Sequence, residues 1–497
     1  MKKKSYYLFF IILVCISCNV IKKGAYNPTT KYSADELKED FSILCNVLKF
    51  NHPSLYWYST KDSVDNFFSA TYACLQDSLT EQQFNKRVAW VINKIRCGHT
   101  VVRPSKNYSK YYNPQRIKAF PVFLKVWDDS AVVVHDLSIG DTALRRGTVV
   151  ISINGIPIKK IIDSICQLIS TDGYSNTFKY QLISFNFPAL YNNTYGVDTN
   201  YAIRYIDAAG NRKEKILKNI DSTKTFLNKN PLFLPDAVTK KQQRQLKAFS
   251  NRNLEVDSSL NTALISVNTF SKGKLTRFFR SSFKKVKKQK ISNLIIYLRL
   301  NSGGNVLAST RLSQYLVNKP FNVADTVATF NRSFPYKKFI KPWLIYWLSM
   351  RISGKRSDED GKIHFLYFEK HYFKPKRRNY FAGNIYLITG GYTFSAATLV
   401  ASNLKAQPNV TIVGEETGGG SYGSSAMLLT KIVLPNTGLR ISLPLFRMVL
   451  DATRLKTGRG IFPDIEVKPS SNSIKTGVDA KMEKVMEIIR KKKTAFR

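Results

Sequence analysis

The sequence contains few of the residues that bind metal ions or form covalent cross-links. Only five histidines and six cysteines occur among 497 residues. Beyond the N-terminal segment the cysteines are far apart and form no Cys-x-x-Cys pair: Cys45, Cys74, Cys97 and Cys166. This spacing excludes the usual zinc and dithiol redox motifs, and it leaves open one or two disulfides or buried free thiols. We therefore expect neither a metal nor another cofactor.

Acidic residues are also scarce relative to basic ones. With 34 Asp and Glu against 77 Lys and Arg, the formal net charge is +43, and basic residues cluster at 284–290, 374–378 and 490–493. A nucleic-acid-binding protein would combine such charge with stacking aromatic side chains or a recognised module, and the sequence shows neither. Two interpretations remain: attraction to anionic lipid or a cell-envelope polymer, or a solvated basic surface without a specific partner.

The N-terminal segment lacks an apolar run long enough to cross a bilayer. Lysines at positions 2–4 precede an apolar stretch at 6–14, which is typical of an export signal. The stretch ends at Cys15-Ile16-Ser17-Cys18, which resembles a bacterial lipobox. The resemblance implies that residues 1–17 are a lipoprotein signal peptide and that Cys18 carries lipid. The protein would then be anchored in the cell envelope, facing the periplasm or on the outer membrane. A plain signal peptide or a signal anchor is the alternative.

The first half of the mature chain changes its hydrophobic periodicity once. After a tether at 18–32, apolar residues at helical spacing predict a helical bundle at 33–115. Short strands around the turn-forming Asn154-Gly155 then predict a β-rich module at 116–215. The pattern of this module resembles a PDZ domain.

The second half alternates between strands and helices. After a polar, basic connector at about 210–258, this alternation predicts a parallel α/β core at 216–490. An aromatic and basic insertion interrupts the core at 331–380. Its residues 342–348 are compatible with an interfacial helix, a lid or a core element.

A serine stands at one strand-to-helix junction of this core. The apolar run 385–388 gives way to helix-forming residues 396–400, and Ser395 lies between them. A serine there can project its hydroxyl away from the sheet, beside a helix N-terminus that favours negative charge. This is the position of a nucleophile. Simple capping of the helix by Ser395 or Thr393 is the alternative.

Two other turns offer groups that complete a hydrolytic site. Gly303 and Gly304 follow a buried-type strand at 294–298, where backbone N–H groups can approach a ligand oxygen as in an oxyanion hole. His99, in Gly98-His99-Thr100, is the histidine flanked by a glycine turn at a junction between predicted domains. Each feature alone is also explained by structure, as a tight turn or a buried histidine.

Taken in order, these motifs resemble the serine peptidase family of tail-specific (C-terminal processing) proteases and the tricorn core. The shared motifs are Gly-His-Thr at 98–100, Arg-x-Asn-x-Gly-Gly at 299–304, Thr-x-Ser-Ala-Ala at 393–397, Val-Gly-Glu-Glu-Thr-Gly-Gly at 413–419 and Gly-Ile-Phe-Pro-Asp-Ile at 460–465. The resemblance implies an α/β multidomain protein of the bacterial envelope. Its helical bundle and PDZ-like module would accompany a ClpP/crotonase-like protease core.

The resemblance also implies a role for each site residue. Ser395 would attack a peptide carbonyl, and the N–H groups of Ala396 and of Gly303 or Gly304 would hold the oxyanion. Gly420 occupies the position of the lysine base of tail-specific proteases, so the base would be His99, as in the tricorn-type branch. A neutral imidazole is suited to accept the serine proton near pH 7.

The group that orients the histidine is the least defined part of this prediction. Tricorn-type enzymes use a serine before the histidine and a glutamate before the Pro-Asp motif, where this chain has Gly98 and Thr457. Asp451, the nearest upstream carboxylate, is the predicted substitute. The expected function is a serine endopeptidase acting on extended or unfolded peptide segments. The alternative is a catalytically inactive relative that serves as a peptide-binding or scaffold lipoprotein.

Overall fold

The computed structural model describes residues 26–112, 118–138, 144–221 and 248–495. The predicted signal peptide at 1–17 and the lipid attachment site at Cys18 lie outside these ranges. The four cysteines within them are free thiols, and Cys45 and Cys97 are buried. Among the described residues, no helix has the length and apolar character needed to cross a bilayer.

The N-terminal region consists of helices whose starts are fixed by side-chain caps. Ser33 and Glu36 form a reciprocal capping box at the first long helix, and Thr80 and Gln83 form another at the third. The apolar faces of these helices share one buried core. The elements are β1 (Lys31–Tyr32), α1 (Ala34–Asn51), α2 (Lys61–Ala73), β2 (Leu79–Thr80), α3 (Glu81–Lys94), β3 (Val102–Arg103) and α4 (Lys106–Tyr112).

A second core lies between an antiparallel sheet and two helices. Alternate residues of the strands, such as Leu124 and Val126, pack against Ile161 and Phe187 of the helices. The sheet has the strand order β10-β9-β7-β6-β5, with β8 paired to β7. The elements are β4 (Lys118–Ala119), β5 (Val122–Trp127), β6 (Ser130–Asp136), β7 (Val149–Ile153), β8 (Ile156–Pro157), α5 (Ile158–Cys166), α6 (Thr177–Tyr195), β9 (Asn200–Ile206), β10 (Arg212–Lys218) and β11 (Ile220–Asp221).

Strand β10 corrects one predicted boundary. It pairs with β9 over its whole length, so the sheet continues through the boundary predicted between residues 215 and 216 and into the predicted connector at 210–258. The strand lies at the edge of its sheet, and most of its side chains are exposed. Because Leu217 is its only buried residue, the strand lacks the apolar alternation by which a strand is found in a sequence.

The third region contains the predicted parallel sheet, which the structure confirms. Its order is β12-β13-β14-β19-β20-β25, with every pair from β13 to β25 parallel and β12 antiparallel at one edge. The elements are β12 (Arg252–Asp257), β13 (Thr262–Val267), α7 (Leu275–Lys288), β14 (Asn293–Tyr297), α8 (Val306–Leu316), β15 (Thr326–Thr329), β16 (Ile340–Lys341), α9 (Trp343–Ser353), β17 (Lys355–Arg356), β18 (Ile363–His364), α10 (Leu366–Lys370), β19 (Asn384–Thr389), α11 (Ala396–Leu404), β20 (Val410–Gly414), β21 (Gly423–Ala426), β22 (Thr430–Val433), β23 (Arg440–Leu443), β24 (Phe446–Val449), β25 (Ile465–Glu466), α12 (Ser471–Thr476) and α13 (Ala480–Ala495).

Helices cover both faces of the parallel sheet. Leu294 and Ile296 of β14 point into a core shared with α7, α8 and α11. The intervening Ile295 points to the opposite face, where it packs with Val485 and Ile489 of α13. This alternation produces the α/β layering that places Ser395 at the carboxyl end of the sheet.

Two smaller sheets join the core to the N-terminal helices. One has the order β17-β18-β15-β24-β21 and the other β16-β22-β23-β3. The pairing of β3 with β23 links the strand just after His99 to the core. The histidine turn and the serine turn are therefore held in one framework.

The insertion at 331–380 carries an unusually apolar exposed helix. In α9, Met350 is buried, but Leu344, Ile345, Leu348 and Ile352 are 51–75% exposed. The helix is fixed by its inner face, where the Tyr346 hydroxyl donates to the Leu429 carbonyl at 2.6 Å. A role as a core element does not account for the outer face of α9, because its four large aliphatic side chains are exposed to water.

Candidate active site

Ser395 lies in a strained turn between β19 and α11. Its φ of +53° is rarely adopted by a residue with a side chain, so the surrounding structure must enforce it. The side chain makes no capping hydrogen bond, and Ser395 Oγ lies 3.1 Å from His99 Nε2. Thr393 is occupied elsewhere, because its hydroxyl donates to the Leu298 carbonyl at 3.0 Å. Neither predicted cap is therefore used, and the turn presents Ser395 to the histidine.

His99 is held in a buried turn beside the serine. Its ring packs against Phe394 with 4.8 Å between ring centroids. Burial lowers the pKa of the imidazole to about 4, so the ring is neutral and able to accept a proton at neutral pH. The neighbouring Thr100 donates to the Cys97 sulfur at 3.2 Å and contacts His52 Nε2 at 2.9 Å. His52, from the Asn-His-Pro segment at the end of α1, thus supports the turn.

Asp172 is the carboxylate beside His99, and the sequence did not single it out. Its Oδ1 lies 3.9 Å from His99 Nδ1 and accepts the Gly98 N–H at 2.8 Å. Burial raises the pKa of Asp172 to about 7, against the opposing effect of N–H groups from Gly98 and Gly420. Among the described residues, His99 Nδ1 and Asp172 Oδ2 have no hydrogen-bond partner. His99 Nδ1 therefore lies beside the Asp172 carboxylate, which also accepts the Gly98 N–H.

The predicted substitute, Asp451, does not contact His99 in the structure. Its side chain accepts hydrogen bonds from Thr453 and lies 3.0 Å from the guanidinium of Arg454. In the histidine turn, a Cβ on Gly98 would come within 2.7 Å of the Phe394 ring, so a serine before His99 would require that ring to move. The Gly98 N–H binds Asp172.

Asp172 had a weak signal in the sequence. It lies in the polar run Ser170-Thr171-Asp172-Gly173, which follows the apolar residues of α5 and ends in a turn-forming glycine. The Gly173 N–H donates to the Arg96 carbonyl at 3.0 Å, which fixes this loop to the histidine turn. That contact joins two predicted domains, and no local pattern indicates it.

The glycines after β14 pack directly against the serine. Asn301 is fully buried; its side chain donates to the Val267 carbonyl at 2.9 Å and accepts the Gly303 N–H at 2.8 Å. A Cβ on Gly303 would lie 2.7 Å from Ser395 Cβ and 2.9 Å from the Ala396 nitrogen. The absence of a side chain at Gly303 therefore lets this turn approach Ser395 closely, and the Gly303 N–H is already bonded to the Asn301 side chain. In the described part of the chain, the Gly304 and Ala396 N–H groups have no hydrogen-bond partner.

The loop at 414–420 closes the site from another side. Glu416 accepts the Gly460 N–H at 2.7 Å and pairs with Arg459, which ties the loop to the segment before β25. A Cβ on Gly419 would lie 3.2 Å from the Ser395 nitrogen. Gly420 follows without a side chain, so this loop supplies no lysine to the serine. The nearby Lys481 is buried in a pair with Glu415.

The α/β core is similar to a known family of peptidases. The model of peptidase family S41 matches residues 261–467. These residues belong to peptidase family S41. The match includes the glycine turn, the serine turn and the loop at 414–420. It confirms the predicted relationship to tail-specific proteases. The S41 match does not include His99 and Asp172, which lie in the regions before residue 261.

Solved structures extend the similarity beyond the matched residues 261–467. Mature CPAF superposes with a TM-score of 0.64 at 13% identity, covering 92% of this chain and 96% of that chain. Mature CPAF complexed with lactacystin gives 0.65 at 13% identity, with 92% and 98% covered. The photosystem II D1 C-terminal processing protease gives 0.40 at 14% identity, with 90% and 98% covered. A sequence search of curated proteins returned no match. The CPAF structures therefore support the multidomain α/β fold.

Proposed function

We propose that the protein is a serine endopeptidase in which Ser395 is the nucleophile, His99 the general base and Asp172 the orienting carboxylate. The observation that carries the proposal is the 3.1 Å contact between Ser395 Oγ and His99 Nε2, made by a serine in a strained turn. Both partners come from distant parts of the chain and converge on one atom pair. Asp172 completes the order of groups found in serine hydrolases.

The geometry defines the proton path. His99 Nε2 accepts the Ser395 proton as Oγ attacks the peptide carbonyl, and the carboxylate of Asp172 stabilises the imidazolium that forms. The N–H groups of Ala396 and Gly304 hold the oxyanion. The imidazolium then donates its proton to the leaving amine, and His99 activates the water that releases the acyl group. The 3.9 Å separation between His99 Nδ1 and Asp172 Oδ1 shortens in the substrate complex.

Substrate would bind as an additional strand. Strand β21 (Gly423–Ala426) is at the edge of its five-stranded sheet, and it begins four residues after Gly419, which packs against Ser395. An unpaired edge of this kind binds an extended peptide through main-chain hydrogen bonds. Trp57 and Tyr422 form an aromatic pair, with centroids 6.0 Å apart, beside the start of this strand. This arrangement favours extended or unfolded segments over folded proteins.

The proposed location is the surface of an anionic membrane in the cell envelope, where lipid on Cys18 anchors the chain. Helix α9 supports this location, because its exposed Leu344, Ile345, Leu348 and Ile352 form an apolar outer face. Lys341 and Arg351 flank that face. An apolar helix face with basic borders is suited to the interface of an anionic bilayer.

Labelling with a fluorophosphonate probe tests the catalytic proposal. The wild-type protein and Ser281→Ala, changed at an exposed serine of α7, should react, whereas Ser395→Ala should not. Lactacystin, present in one CPAF structure, should compete with the probe. Absence of labelling in a folded sample, with retained binding of an unfolded peptide, would instead support the inactive scaffold.

Vesicle flotation tests the location separately. Cys18→Ser should release the protein from membranes, and residual binding to phosphatidylglycerol vesicles should fall in Ile345→Ser/Ile352→Ser. The matched control is Leu455→Ser, changed at an aliphatic side chain that is 82% exposed outside α9. Unchanged membrane retention of Cys18→Ser would contradict the lipid anchor. Equal losses of vesicle binding in Ile345→Ser/Ile352→Ser and in Leu455→Ser would contradict the role of α9.

A further inference from the structure

A strongly basic groove lies in the core, formed by α7, the end of α8 and the segment at 374–380. Its volume is about 1320 Å³, and none of the described carboxylates lines it. Eight cationic side chains do: Arg280, Lys284, Lys287, Lys288, Lys374, Lys376, Arg377 and Arg378. The two basic runs that are separate in the sequence therefore meet across one concave surface.

The groove is built on fixed backbone. The four basic residues from α7 are spaced i, i+4, i+7 and i+8, which places them on one face of the helix, next to the buried face that carries Phe279 and Phe283. The opposite wall is tied to α8 by two hydrogen bonds at Gln314, which donates to the Lys374 carbonyl at 2.8 Å and accepts the Lys376 N–H at 2.7 Å. Both walls are thus held in place without a ligand.

In the described part of the chain, no acidic side chain neutralises the charges in the groove. Across the described ranges, none of the eight cations pairs with an Asp or Glu side chain. Burial, and then the neighbouring Arg311 and Arg280, lower the pKa of Lys376. Such mutual repulsion is relieved when an anion binds, so the groove is prepared for a negatively charged ligand.

We propose that this groove binds a ligand carrying several phosphate groups. Arginine forks and lysine ammonium groups are the usual partners of phosphate, and the volume exceeds that of most small-molecule sites. The ring of Tyr315 in the wall is buried and stacked on Phe283, with centroids 4.5 Å apart, so it offers no open platform for a nucleobase. A phosphorylated lipid headgroup and a free polyphosphate share this chemistry. The proposal does not depend on the peptidase activity.

Isothermal titration with inorganic tripolyphosphate, on the Ser395→Ala background, is the primary test. Lys284→Gln/Lys288→Gln should weaken binding by about tenfold or more, because each lost cation removes a charge-assisted contact. The matched control is Arg277→Gln/Lys285→Gln, which removes the same charge from exposed positions of α7 outside the groove. It should change the affinity by less than about twofold, as expected for screened charges.

Flotation with phosphatidylcholine vesicles, with and without cardiolipin, then separates the two sources. Cardiolipin-dependent binding that is lost only in the groove variant identifies a headgroup site. Tripolyphosphate binding without a cardiolipin effect identifies a site for free polyphosphate. Equal losses in the groove and control variants would overturn the proposal, since they indicate net charge alone. Tighter binding of an oligonucleotide than of tripolyphosphate would also overturn it.

Discussion

The active site and the basic groove both include residues of the α/β core, but the ionisable side chains of the two sites have opposite environments. In the active site, burial moves both ionisable groups toward their neutral forms, lowering the pKa of His99 and raising that of Asp172. In the groove, eight Lys and Arg side chains line one concave surface. Proton transfer requires few groups in a dry, fixed setting, whereas capture of an anion requires many cations that water can reach. The net charge of +43 therefore bears on the groove and not on the chemistry.

The largest effect is expected at His99, the proposed general base. His99→Ala should lower kcat/KM for an unfolded peptide by about 10⁴-fold or more, because no other described group accepts the Ser395 proton. Thermal unfolding checks that the fold is retained. His135→Ala, changed at an exposed histidine of β6, should leave kcat/KM unchanged. Full activity of His99→Ala would show that the 3.1 Å contact with Ser395 is not catalytic.

The next largest effect is expected at Asp172. In the wild-type protein kcat/KM should rise as the pH increases through about 7, because the carboxylate of Asp172 must be ionised to stabilise the imidazolium. Asp172→Asn should lower kcat by about 10²–10⁴-fold and remove this step from the pH profile. Asp451→Asn is the control and should leave the profile intact. Equal losses in both variants, or a step near pH 7 that survives in Asp172→Asn, would refute the assignment.

Gly303 tests how closely the glycine turn must approach the serine. Gly303→Ala should abolish labelling of Ser395, since the added Cβ would lie 2.7 Å from Ser395 Cβ, and the residue has a φ of +102°. Gly155→Ala is the matched control, because Gly155 also has a positive φ, of +75°, but has no atom within 4 Å of the added Cβ. The positive φ should cost each variant about 1–2 kcal/mol of stability, the overlap should add to this loss in Gly303→Ala, and only Gly303→Ala should lose labelling. Labelling in both would show that the close approach is dispensable.

The features that the sequence predicted correctly are those encoded by residues close together in the chain. The central strands were found because both faces are buried, and Ser395 because its turn joins a strand to a helix within a few residues. Strand β10 was missed because it is exposed at a sheet edge. Asp172 was missed because its contact with His99 spans 73 positions and depends on how two separate cores pack. The basic runs were visible, but their convergence on one groove is a property of the fold.

The smallest expected effect is a change in melting temperature caused by repulsion between the cations of the groove. If its cations repel one another, Lys284→Gln/Lys288→Gln should raise the melting temperature by about 1–2 °C at low ionic strength, and the gain should vanish in high salt. Arg277→Gln/Lys285→Gln should give a smaller gain, because those side chains lie outside the concave surface. Thermal unfolding of the wild-type protein and the two variants, with kcat/KM measured in parallel, checks this. Unchanged kcat/KM alongside a salt-dependent gain would show that the groove and the active site are energetically separate, as their opposite treatment of charge implies.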